Sequence, residues 1–109
     1  MKIGILLTTE EDRKKQIGIV EFAPTGMLVF QVIQKGLHVF ELKAVERCFK
    51  ENGLDGPLYV KYDNFLKQQH EIPQNILEEE ANYYTEVLNR VEPPVTIGEQ
   101  KIIAEVVRY

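Results

Sequence analysis

The chain has 109 residues, 44% of them apolar and 28% charged, and a formal net charge of −4 at pH 7. These proportions exclude a disordered chain, and no apolar run approaches the ~18 residues that a membrane span needs. The acidic balance argues against a nucleic-acid partner, because phosphate is bound by clusters of Lys and Arg. The basic cluster Arg13-Lys14-Lys15 directly follows Glu10-Glu11-Asp12 and is locally almost neutralised. The length fits one domain, residues 1–109, large enough for a real core. Cys48 is the single cysteine, so neither an intrachain disulfide nor a multi-thiolate metal site is available within one chain. With acidic residues where a signal peptide would place its cleavage site, the reading is a cytoplasmic setting.

Taken in order, Met1 to Thr8 reads as a strand with Ile3, Ile5 and Leu7 on one face. The segment TTEEDRKKQ interrupts it. Thr8 or Thr9 followed by Glu11 or Asp12 resembles a capping box, so this piece is a helical turn or a hairpin loop. Ile17 to Phe22 is β-branched and aromatic and predicts a second strand. Ala23-Pro24-Thr25-Gly26 is a turn, and Met27 to Gln34 predicts a third strand ended by Lys35-Gly36. A helix follows from about Leu42 to Asn52, beginning as early as Val39, with Ala44, Val45, Cys48 and Phe49 on its apolar face and Asn52-Gly53 as its stop. After the turn Leu54-Asp55-Gly56-Pro57, LYVKY at 58–62 predicts a strand, and Asp63 caps a short helix, NFLKQQ.

The segment from Pro73 to Val91 has the clearest helical period. Ile76, Leu77, Ala81, Tyr83, Tyr84, Val87, Leu88 and Val91 fall within an arc of roughly 160° at ~100° per residue. Either Asn75 caps this helix with Glu78 as its capping-box partner, or Pro73 opens its first turn. Glu92-Pro93-Pro94 ends it, VTIGE is extended, and Lys101 to Tyr109 reads as an interior strand with apolar residues on both faces. The resulting order, β-β-β-α-β-α-β, predicts an α+β fold. A single mixed or mainly antiparallel sheet of about five strands is covered by the two amphipathic helices. If residues 25–35 form a helix and 37–42 a strand, the chain alternates and becomes a layered parallel α/β fold.

Chemistry-bearing motifs are sparse. The glycines form no phosphate-binding loop, His38 and His70 have no metal-ligand spacing, and the chain has no serine. Cys48 lies on an apolar helix face, where burial raises a thiol pKa and leaves it inert. No cofactor or metal is expected. The odd residue is Glu80, a carboxylate near the middle of the apolar arc of the long helix. It is a first-turn residue favoured by the helix dipole, a carboxylate paired with Lys61, Lys101 or Arg108 from strands beneath, or a binding group with Tyr83, Tyr84 and His70 around it. Five tyrosines among ten aromatic residues, and a helix face wider than a small core needs, point to an interface. The sequence therefore reads as a small non-enzymatic interaction protein, regulatory, inhibitory or accessory, with a protein partner or a second copy of itself in a homodimer. The alternative is a small-ligand-binding protein or enzyme with a pocket beside Glu80.

Overall fold

The computed structural model describes residues 1–34, 36–54, 58–68 and 70–109. The expected turn residues Asp55-Gly56-Pro57, Lys35 after the third strand and Gln69 lie outside the described residues. Three strands come first: β1 (Ile3–Thr9), β2 (Gly18–Phe22) and β3 (Leu28–Val32). Four helices follow among the described residues, α1 (Val39–Glu51), α2 (Leu58–Lys61), α3 (Asp63–Lys67) and α4 (Gln74–Arg90), and then the hairpin β4 (Thr96–Ile97) and β5 (Gln100–Arg108). The strands form one curled sheet in the order β3-β2-β1-β5-β4. Every pairing is antiparallel. The chain is α+β, and the parallel alternation does not occur.

β1 is the central strand. Its apolar alternation places Ile3, Ile5, Leu7 and Thr9 on one buried face. β5 pairs with β1 along its whole length, from Ile3 opposite Arg108 to Thr9 opposite Ile102. After β1 the chain turns in a hairpin loop, and the expected capping bond is present without a helix. The Asp12 N–H donates to the Thr9 hydroxyl oxygen at 3.1 Å. In α1 the predicted stop is realised in full. Gly53 takes φ +78°, its N–H donates to the Lys50 carbonyl, and the Leu54 N–H donates to the Phe49 carbonyl at 2.8 Å.

Residues 58–62 correct the expected order. LYVKY is a helical turn, closed by the Tyr62 N–H donating to the Leu58 carbonyl at 2.8 Å. Strand propensity yields here to tertiary contacts. An extended segment would point Leu58 and Lys61 to opposite faces. The helical turn puts Leu58 in the core while Lys61 and Tyr62 reach toward α4. Gly26 makes the docking of α2 possible. It sits at φ +91°, and a Cβ there would stand 2.3 Å from the Tyr59 backbone nitrogen.

α4 packs against β5 and β1, and α1 packs against β3 and α4. Residues Leu77, Glu80, Ala81, Tyr84 and Leu88 of α4 are buried, whereas Tyr83 is exposed, so the buried stripe is narrower than the apolar arc. The helix starts one residue after Pro73, whose carbonyl accepts from Ile76 and Leu77; Asn75 lies inside the helix and caps nothing. Near its other end, Asn89 closes the outer edge of β5. Its side-chain oxygen accepts the Ala104 N–H at 2.8 Å and its amide donates to the Ala104 carbonyl at 3.0 Å, as a neighbouring strand would. Lys101 Nζ donates to the Asn89 carbonyl at 2.8 Å.

Leu88 is fully buried under this helix. Leu88→Ala is expected to cost about 2–5 kcal/mol in chemical denaturation, the usual range for a core leucine. A loss below roughly 1 kcal/mol would mean that α4 is not a principal wall of the core.

Candidate functional site

Glu80 is 7% exposed and lies in the second turn of α4, away from the first-turn position where the helix dipole acts. Its carboxylate Oε1 accepts hydrogen bonds from Lys61 Nζ and from the Tyr62 hydroxyl, the latter at 2.6 Å. The pairing partner expected from beneath therefore comes from the α2–α3 elbow, not from a strand. Arg108 pairs with Glu78 instead, and Lys101 serves Asn89. The Lys61 ammonium also stands 5.5 Å from the centre of the Tyr62 ring. Its bond to Glu80 raises the Lys61 pKa above the ordinary 10.5 against a smaller opposing effect of burial. Burial first, and then the bond to Glu80, raise the Tyr62 phenol above 10.0. The three side chains form a clip that holds α2 against α4.

A depression of about 290 Å³ opens beside this clip, lined by Leu54, Leu58, Val60, Lys61, Tyr83 and Tyr84 together with Glu80. Tyr83 reaches it from the exposed side of α4. Tyr84 belongs to the core: its ring meets Phe22 and Phe49 edge-on at 5.1 and 5.0 Å between centroids, and its hydroxyl donates to the Leu54 carbonyl at 3.2 Å. His70 is exposed, and its backbone N–H donates to the Phe65 carbonyl. Of the four candidates, Glu80, Tyr83 and Tyr84 thus share one depression; His70 does not line it. Among the described residues, no three His, Cys, Asp or Glu side chains group so as to hold a metal ion. Cys48 is buried, and burial first, then Glu51, push its thiol pKa up.

A second surface was not foreseen in the sequence. Where α1 meets β3, Phe30, Val32, Val39, Leu42, Lys43 and Glu46 line a groove of about 350 Å³. Val39 lines it and is exposed, and Ile33, Leu37 and Phe40, which flank Val39 in the sequence between β3 and the start of α1, are exposed as well, Phe40 by 81%. The pattern allowed these residues to be read as part of a strand and a helix face. The detectable signal was the surplus of apolar residues between Met27 and Leu42 over what one strand and one helix stripe can bury.

No protein-family signature, no curated protein and no solved structure matches this chain.

The clip generates a pH-dependent expectation. Because the folded-state pKa values of Lys61 and Tyr62 are raised, its stabilisation is present below about pH 10 and is lost as pH rises through those values. Glu80→Leu should therefore cost about 0.5–1.5 kcal/mol near neutral pH, the net contribution of hydrogen bonds whose remaining donors, the largely exposed Lys61 and the half-buried Tyr62, turn to water. The stability curves of wild type and variant should converge above pH 10. A Leu variant as stable as wild type at pH 7 would contradict the clip.

Proposed function

We propose that this chain is a small non-enzymatic interaction domain of the cytoplasm, regulatory, inhibitory or accessory in role, that associates with itself. The observation carrying this reading is the run of exposed apolar residues that connects β3 to α1, Ile33, Leu37, Val39 and Phe40, of which Val39 lines an apolar groove between the two elements. Exposed aromatic and aliphatic residues grouped beside a groove mark a contact surface more often than a tolerated surface. The buried carboxylate that suggested chemistry is engaged by Lys61 and Tyr62, which favours a structural part for it. In this reading α1 and α4 cover one face of the sheet and hold the edge strand β3 available. Light scattering over a concentration series tests the proposal. Wild type should show twice the 12.6 kDa chain mass, and Phe40→Asp should lower it toward one chain without loss of thermal stability. A wild type of single-chain mass at every concentration would overturn it.

A second reading, a small ligand bound beside Glu80, has the depression lined by Lys61 and Tyr83 in its favour. Its volume is near the lower end of ligand pockets. Native mass spectrometry should then find a copurified molecule that Tyr83→Ala releases; a chain carrying no adduct when purified gently from its source would count against this reading.

A further inference from the structure

The free edge of β3 belongs to the same end of the molecule as the apolar groove. β3 is the outer strand of the sheet, and from Phe22 to Gln34 the chain carries no charged side chain. Edge strands in monomers are commonly guarded by lysines, prolines or bulges within the strand, and Leu28–Val32 has none of these. The Ala23 N–H donates to the Met27 carbonyl, and the antiparallel ladder alternates from that bond. Val29 and Gln31 therefore direct their backbone groups to Glu21 and Ile19 of β2, while Leu28, Phe30 and Val32 direct theirs outward. Among the described residues nothing bonds to that outer row.

We propose that two copies of this chain pair β3 to β3 in antiparallel register about a two-fold axis through Phe30, joining their sheets into one. The inference rests on the self-association reading above and specifies its geometry. The strand is self-complementary in this register. Phe30 lies opposite Phe30 of the second copy, Leu28 opposite Val32, and Val29 opposite Gln31. The outward backbone groups of Leu28, Phe30 and Val32 meet their counterparts, as an isologous contact requires. One step further, Met27, 50% exposed, meets Ile33 of the second copy, 46% exposed. The paired segments carry no charged side chain from Phe22 to Gln34, so no like charges face one another along the strand.

The register makes the test specific, because Met27 and Ile33 are exposed in the single chain and tolerate charge. Solution mass is measured for three proteins: wild type, Met27→Lys with Ile33→Lys, and Met27→Glu with Ile33→Lys, with circular dichroism confirming that each is folded. The double-lysine protein sets like charges opposite each other twice and should have single-chain mass. The glutamate–lysine protein sets opposite charges there and should return to two chains, as charge pairing specifies partners elsewhere. A double-lysine protein that remains a dimer, or whose partner variant is not restored, overturns the β3 pairing. If Phe40→Asp still dissociates that dimer, the self-association reading stands without it. A wild type of single-chain mass overturns both.

Discussion

The structure depends on the burial of one stripe of α4 against β1 and β5. Leu77, Ala81, Tyr84 and Leu88 are almost wholly removed from water on that stripe, opposite Ile3, Ile5, Leu7 and Ile102 of the two longest strands. Each fully buried aliphatic side chain contributes about 1.5–3 kcal/mol, so this layer outweighs any ion pair in the molecule. Polar features of the fold are arranged around it. Glu80 rides on the stripe and anchors the α2–α3 elbow, Tyr84 ties α4 to α1 and β2, and Asn89 supplies the hydrogen bonds that the short β4 leaves unmet along β5.

That arrangement finishes one edge of the sheet and leaves the other open. At the β5 edge, β4, Asn89 and Lys101 together satisfy backbone groups or cover them. At the β3 edge the corresponding groups of Leu28, Phe30 and Val32 bond to nothing among the described residues, although α1 packs against β3. Phe30 contacts Phe49 at 6.3 Å between ring centres yet remains only partly buried. The asymmetry gives the molecule a firmly closed side and an apolar side, which is the physical basis for reading it as an interaction domain.

Much of this was legible in the sequence where periodicity and burial agree. β1, β2, β3, α1, α4 and β5 lie within a few residues of their expected bounds, because each turns an apolar face to the core, which is buried in all but β3, where it is only partly covered. Glu80 was legible as an anomaly, since a carboxylate among Ile76, Leu77, Tyr83 and Tyr84 needs a partner. Its partner's position was not, because LYVKY has strand composition and only its contacts with Gly26 and Glu80 make it helical. Tyr83 and Tyr84 are neighbours of like composition on α4, and period alone does not decide which one enters the core; the aromatic contacts of Tyr84 with Phe22 and Phe49 do. The exposed surface around Phe40 escaped because a pattern shows which residues are apolar, not which of them find cover.

Stability is concentrated where α4 packs on β1 and β5, while the outward edge of β3 is where the second copy proposed above would pair. Amide hydrogen exchange by NMR at low and high protein concentration addresses both halves at once. Amides of Ile5, Leu7 and Leu88 should exchange only by global unfolding, at both concentrations. The outward amides of Leu28, Phe30 and Val32 should exchange fast in dilute solution and slow sharply as concentration rises, with those of Val29 and Gln31 much less affected. Equal, concentration-independent protection of all five β3 amides would contradict the account.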